Sequence, residues 1–217
     1  MKKILFFISI FYLSLPLLAQ ETRFTVFVDP KFSWMKPDLK GVDSEGSRFG
    51  LNIGLNVDRF FAKNYALTTG ISIDNAGGKL RSDTVKYIKT NAVIDSVPAG
   101  NTLNYKLQYI NVPLGLKFKT NEIGYITFFT HLGINAGINI KATGEVDGHE
   151  LENTNINKEI SLFNLGYFIG AGIEYSIGGN TAIVAGITYT NGFTDITDDS
   201  NNKVILNNLA IRIGVLF

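Results

Sequence analysis

The sequence predicts an all-β protein, an antiparallel eight-stranded transmembrane β-barrel of the up-and-down kind, and three observations carry that prediction. Eight segments alternate apolar and polar residues with the period of two that a strand presents. The stretches between them alternate short and long, which is the layout of a bacterial barrel with tight turns on one rim and long loops on the other. The last segment, 204–217, sets Leu209, Ile211, Ile213, Val215 and Phe217 against Asn208, Ala210, Arg212, Gly214 and Leu216 and stops on the phenylalanine, as a closing barrel strand does.

Along the chain, the first segment (22–34) puts Phe24, Val26, Val28, Phe32 and Trp34 on one face and Arg23, Thr25, Asp29, Lys31 and Ser33 on the other. The second (48–60) alternates Phe49, Leu51, Ile53, Leu55 and Val57 with Gly50, Asn52, Gly54, Asn56 and Asp58. The third (65–74) sets Leu67, Thr69, Ile71 and Ile73 against Thr68, Gly70, Ser72 and Asp74. The fourth (103–119) begins with Leu103, Tyr105, Leu107 and Tyr109 on one parity, then switches to Ile110, Val112, Leu114, Leu116 and Phe118. A one-residue slip turns later side chains to the other face, so the switch predicts a bulge near 109–113, where Pro113 lacks a ladder N–H. The fifth (125–141) opposes Ile126, Phe128, Leu132, Ile134, Ala136, Ile138 and Ile140 to Thr127, His131, Asn135 and Asn139. The sixth (161–177) and seventh (181–190) carry Phe163, Leu165, Tyr167, Ile169, Ala171, Ile173 and Tyr175, then Ile183, Ala185, Ile187 and Tyr189.

Short turns are expected at 61–64, 120–124 and 178–180, on the periplasmic rim, and long loops at 35–47, 75–102, 142–160 and 191–203, outside the cell. Residues 79–97 keep strand formers (Val85, Tyr87, Ile88, Val93, Ile94) among Asp83, Lys86, Lys89 and Asp95. They read as a hairpin extending above the membrane; a ten-stranded barrel is the alternative.

Alternation alone does not separate a lipid-bathed barrel from a soluble, lipocalin-like one with an apolar calyx. Glycine does. Gly50, Gly54, Gly70, Gly115, Gly133, Gly137, Gly166, Gly170, Gly172, Gly186 and Gly214 all fall on the parity opposite the large apolar side chains. The interior of an eight-stranded barrel is just wide enough to be filled by side chains, and glycine relieves crowding there. The polar face also carries Asn, Thr, Ser and Gly, with most charges confined to the long loops. The apolar face therefore looks toward lipid. The few inward charges, Asp58, Lys117, Glu174 and Arg212, must pair with one another or with lumen asparagines, because an unpaired buried charge is costly; His131 shares their parity. Aromatics near strand ends, among them Trp34, Phe60, Tyr65, Phe118, Tyr125, Tyr175, Tyr189 and Phe217, suit two interfacial girdles.

Lys2 and Lys3 before the apolar run 4–18 and Ala19-Gln20 read as a signal peptide over 1–20, leaving 21–217 as one barrel domain. The chain has no cysteine, hence no disulfide framework, thiolate metal site or lipidated cysteine. No segment after the leader has eighteen or more uninterrupted apolar residues, so a spanning helix is excluded. Twenty basic against nineteen acidic residues, with no basic stripe, argue against nucleic acid as a partner.

The stretch Tyr109-Ile110-Asn111-Val112-Pro113-Leu114-Gly115-Leu116-Lys117-Phe118 resembles a strand motif of the PorT-like outer-membrane β-barrel proteins, and Tyr189 with Asn191-Gly192-Phe193-Thr194-Asp195-Ile196 is similar to the loop before their last strand. The resemblance covers 21–217 and implies an integral barrel of a Gram-negative outer membrane. It implies a link to protein secretion only through the founding member. The motif is structural and transfers no functional residue.

Constellations with chemical potential are few. His131 reads as a hydrogen-bonded lumen residue, with a catalytic or proton-sensing role as the alternative. His149 lies in a loop among Glu145, Asp147, Glu150 and Glu152, without a calcium-loop pattern. Asp195, Asp198, Asp199 and Asn201 form a second oxygen-rich loop, read as a turn. Gly77-Gly78-Lys79 lacks the spacing of a phosphate loop. A barrel enzyme needs a nucleophile or activated water beside a base on the outer rim, and only His149 is available there. The expectation is a non-enzymatic monomer without cofactor or metal, its lumen filled by side chains and its loops 75–102 and 142–160 presenting recognition surface. Its expected partners are outer-membrane lipids, the barrel assembly machinery, reading Ile213, Val215 and Phe217 as assembly signal, and unknown envelope proteins. A small-solute, porin-like channel is the alternative.

Overall fold

The computed structural model describes residues 21–38, 40–89, 94–146, 153–198 and 203–217; the leader expected over 1–20 lies outside them. Its strands are β1 (Thr22–Pro37), β2 (Val42–Gly46), β3 (Arg48–Ala62), β4 (Tyr65–Ser82), β5 (Lys86–Lys89), β6 (Ile94–Val97), β7 (Thr102–Lys119), β8 (Ile126–Val146), β9 (Thr154–Asn155), β10 (Phe163–Gly178), β11 (Thr181–Gly192) and β12 (Val204–Leu216). The long strands pair antiparallel in the order β1, β3, β4, β7, β8, β10, β11, β12, and β12 returns to β1, closing an eight-stranded barrel without free edges. The short strands decorate the long loops. β5 and β6 make a separate hairpin and take no place in the wall, so residues 79–97 extend the β4–β7 hairpin without adding barrel strands. On the opposite rim the turns are tight; Gly178 and Gly179 turn β10 into β11 at φ 121° and 59°, a region that glycine enters without steric cost.

The outward belt is apolar. On β7 it consists of Ile110, Val112, Leu114, Leu116 and Phe118, the about 9–11 residues a tilted strand needs to cross hydrocarbon. Glycine lines the inside. At Gly170 an added Cβ would lie 2.2 Å from His131 Nε2 and 2.7 Å from the Ile187 carbonyl oxygen, so nothing larger than hydrogen fits without displacement.

Phe60, expected in an interfacial girdle, is instead inward and buried, its ring beneath Arg23 and Lys119, and the expected slip on β7 is corrected as well. A register shift does fall beside Tyr109, but β7 keeps a single inward parity from Leu103 through Tyr105, Leu107, Tyr109 and Asn111 to Lys117, all buried, so its later side chains are not turned to the opposite face. The register shift falls where Gln108 faces Lys141 and Tyr109 faces Asn139, which makes Ile140 of β8 the extra residue. Pro113 stays in register opposite Asn135 of β8; on its other side the β4–β7 pairing lapses between Thr69–Leu114 and Ser72–Asn111. What changes at Tyr109 is the medium outside the wall. Below it the wall faces lipid and puts apolar side chains out; above it the wall faces water, sends Asn104, Lys106 and Gln108 out and takes Leu103, Tyr105 and Leu107 in.

The interior therefore has two storeys. The upper is a hydrophobic cluster of Met35, Leu80, Leu103, Tyr105, Leu107 and Tyr109, continued by Ala142, Val146, Val204 and Leu206. Ile88 and Val97 from the β5–β6 hairpin, Ile156 and Ile160 from the β8–β10 connection and Ile196 from the β11–β12 connection close it from above. The lower storey is mostly polar, with a small apolar cluster of Phe129, Ala182, Val184 and Leu216 inside it.

Candidate functional site

The lower lumen is built from alternate residues of all eight wall strands, because every second side chain of a barrel strand points inward. Two ionic groups fill it. In the first, Lys117 Nζ lies 2.7 Å from Asp58 Oδ2 and 2.6 Å from Glu174 Oε1, while the Thr68 hydroxyl donates to Asp58 Oδ1 at 2.6 Å. Arg23 reaches within 4.0 Å of Glu174 from the periplasmic rim. In the second, Arg212 grips Asp29 through both oxygens, at 3.0 Å from Nε and 2.7 Å from Nη2, the fork geometry that makes such pairs strong. Beside it Lys31 pairs with Asp74, whose Oδ2 accepts from the Asn111 amide at 2.8 Å. Lys31, Lys117 and Arg212 thus face Asp29, Asp58, Asp74 and Glu174, with Arg23 shared between Glu174 and Glu21, the latter at 2.6 Å. Aromatic faces complete the cations' surroundings: Lys117 Nζ sits 4.8 Å from the Phe129 centroid and the Arg212 guanidinium 4.0 Å from that of Phe27.

His131 shares the lumen but not the ion pairs. Its Nε2 is 3.0 Å from the Thr188 hydroxyl, and its ring stands edge-to-face with Phe129 and Phe168 at 5.7 and 5.4 Å. A cavity of about 60 Å³ between His131, Asp29, Lys31, Asp74 and Arg212 has room for a few waters. It ends above at the apolar cluster and below at the Lys117 triad.

Of the residues singled out from the sequence, the structure brings Asp58, Lys117 and Glu174 together and gives Arg212 a different partner, Asp29. Asp29, Lys31, Asp74 and Arg23, which the sequence also puts on the inward parity, join the network without being singled out there. The signal was present, since the criterion that selected Asp58, charge on inward parity, applies equally to them. Ile213, Val215 and Phe217 face outward; Phe217 exchanges both backbone hydrogen bonds with Phe24 at 2.9 Å, and their rings stack at 6.2 Å.

The loop constellations resolve differently. His149, Asp147, Glu150, Glu152, Asp199 and Asn201 lie outside the described residues. Asp195 Oδ1 accepts from the Thr197 N–H and hydroxyl and from the Val204 N–H, at 2.9–3.0 Å, which makes it a turn organiser. Glu145 meets Lys106, whose hydrogen bond and charge hold its carboxyl below the usual carboxylate range. Gly77-Gly78-Lys79 is strand, with the Gly77 N–H donating to Ser33 Oγ at 3.0 Å. No group of three or more His, Cys, Asp or Glu able to hold a metal occurs among the described residues.

An apolar belt of bilayer height, an edgeless wall, an ion-paired lumen and long loops confined to one rim define an integral β-barrel protein of a Gram-negative outer membrane. The chain belongs to the family described as outer membrane protein beta-barrel domain, whose model matches residues 18–198. Among solved structures it is similar to neisserial surface protein A, at 13% identity over 89% of this chain and 95% of that one, with a TM-score of 0.49. OprG of Pseudomonas aeruginosa is similar at 13% identity, over 91% and 94%, with a TM-score of 0.47. Ail, the attachment invasion locus protein of Yersinia pestis, is similar at 17% identity, over 91% and 99%, with a TM-score of 0.44. These likenesses concern the fold alone. No curated protein matches.

Proposed function

We propose that this protein is a non-conducting barrel that works through its extracellular loops, as a structural or accessory component of the envelope engaging other envelope proteins. The observation that supports the reading is the doubly closed interior. A hydrated ion that entered from the periplasm would meet the Lys117 triad, then the Arg212–Asp29 and Lys31–Asp74 pairs, then a dry cluster capped by Ile156, Ile160 and Ile196. The loops are held by contacts suited to a fixed recognition surface, among them Lys106 Nζ donating to Asn153 Oδ1 at 2.7 Å. The reading gives the loops a binding role and no bond-making step. The protein acts as a monomer, solvated by outer-membrane lipids and delivered by the barrel assembly machinery through Ile213, Val215 and Phe217. The resemblance of 109–118 to PorT-like barrels favours partners from protein secretion.

Two measurements test it together. In planar bilayers the purified barrel is expected to give no discrete conductance steps; a steady single-channel current would replace the reading with the porin-like one. In intact cells, photo-crosslinkers placed at Tyr87 and Asn153 are expected to capture defined envelope proteins, and an absence of crosslinks from both positions would remove the interaction role.

A further inference from the structure

The outer wall carries one polar feature that neither the lumen nor the loops use. Where β1, β12 and β11 approach the extracellular rim, Trp34, Asn207 and Asn191 stand side by side on the lipid-facing parity, set by the registers Trp34–Asn207 and Asn191–Asn207. An amide turned toward lipid is costly unless it is satisfied. Here Asn207 is only 2% exposed, accepts a hydrogen bond from the Asn191 amide, and is screened by the rings of Trp34 and Tyr189, whose centroids are 6.3 Å apart. In the row above, Lys36, Ile205 and Phe193 border a pocket of about 270 Å³ that Lys203 and Asp38 also line. Among the described residues neither lysine has a carboxylate partner.

We propose that this pocket seats the phosphorylated sugar headgroup of an outer-leaflet glycolipid. Depth argues for it: Trp34 and Tyr189 are interfacial aromatics, so the row above them lies at headgroup level, and the acyl chains of a seated lipid run down over Phe32, Leu209 and Ile211. Chemistry argues for it as well. The two ammonium groups match a phosphomonoester. Asn191 supplies an amide and Asp38 an acceptor for sugar hydroxyls, while Phe193 offers a ring face to the C–H side of a pyranose. An ordinary phospholipid would satisfy the lysines and leave the amide and the Phe193 ring unused.

The test uses the full mature chain in detergent, with native mass spectrometry reading binding of bis-phosphorylated lipid A, phosphate-free lipid A and phosphatidylglycerol. Lipid A bearing phosphates is expected to bind about tenfold or more tightly than either of the others, and Lys36→Gln with Lys203→Gln to weaken it about tenfold. Heat-modifiable mobility of the variant is expected to stay unchanged. Equal binding of phosphatidylglycerol reduces the site to generic anion attraction and overturns the proposal, as does undiminished lipid A binding by the double variant. The comparison of the three lipids on the unaltered protein decides the matter even if the double variant misfolds. An Asn191→Ala variant, which keeps both charges, should lose affinity for lipid A while leaving phosphatidylglycerol unaffected.

Discussion

Lys117 holds two carboxylates apart. With its ammonium 2.7 Å from Asp58 and 2.6 Å from Glu174, and Arg23 as much as 4.0 Å away, its removal would leave two like charges facing each other in a buried lumen. Breaking a buried ionic group by deleting one partner costs about 3–5 kcal/mol, whereas replacing the whole group is often neutral. Lys117→Met is therefore expected to lower the stability of the folded barrel in lipid vesicles by about that amount. Adding Asp58→Asn and Glu174→Gln should restore most of it. Urea unfolding followed through the single tryptophan, Trp34, reads both variants, and a triple variant no more stable than Lys117→Met would show that the triad is not the source. At this scale the sequence told which side chains are interior but not which ones meet. Arg212 and Asp29 are 183 positions apart, on strands that become neighbours only when the wall closes, so no local spacing announces them. Asp58, Lys117 and Glu174 were grouped by parity and charge alone, and the barrel's narrowness made contact among them nearly unavoidable.

Among the elements, β7 is the instructive one. Its alternation inverts at Tyr109, and in a membrane protein an inverted pattern has two readings, a slip of register or a change of surroundings. The sequence does not separate them, because both move large apolar residues from odd to even positions along the strand. The structure places the slip on β8, at Ile140, where its own parity changes: His131 and Gly137 are inward on odd positions, Ala142 and Val146 on even ones. The strands are otherwise legible because period two survives in either medium; their upper ends are not, because there the apolar parity inverts. β4 was expected to stop at Asp74 and continues to Ser82, with Ala76 and Leu80 inside and Asn75 and Arg81 outside, the pattern of a water-soluble sheet. Two media imply two separable stabilities. Leu107, 2% exposed, belongs to the upper cluster and not to the outward belt, so Leu107→Asp is expected to loosen the loop cap and leave the membrane belt intact. Limited proteolysis should then cut the chain between β4 and β7 or between β8 and β10, while the trimmed barrel still shifts in mobility on heating. Loss of that heat-modifiable shift would mean that the two storeys fold as one cooperative unit.

For the molecule as a whole, closure rests on the seam between β1 and β12, which joins the two ends of the described chain and is the longest-range pairing in it. The seam is not uniform: its register runs from Thr25–Leu216 to Val28–Ile213, lapses beside Pro30, and resumes at Lys31–Ala210. Its lower end depends on Phe217, whose backbone bonds Phe24 in both directions and whose ring stacks on Phe24. A charge placed there sits at the interface, where lipid-face substitutions cost about 0–1 kcal/mol, and the lost ring pair adds about 0.5–1.5 kcal/mol. Neither figure is large enough to unfold a closed barrel. If Phe217→Asp nonetheless sharply reduces the amount of barrel inserted in cells, the effect must lie in recognition during assembly, as proposed for Ile213, Val215 and Phe217. The expected result is accordingly a split one: a urea midpoint close to that of the unaltered protein once refolded in vesicles, together with a several-fold loss of heat-modifiable protein in the outer membrane. A large fall in the midpoint would locate the role of Phe217 in the seam itself, and normal insertion with a normal midpoint would leave the terminal aromatic without either role.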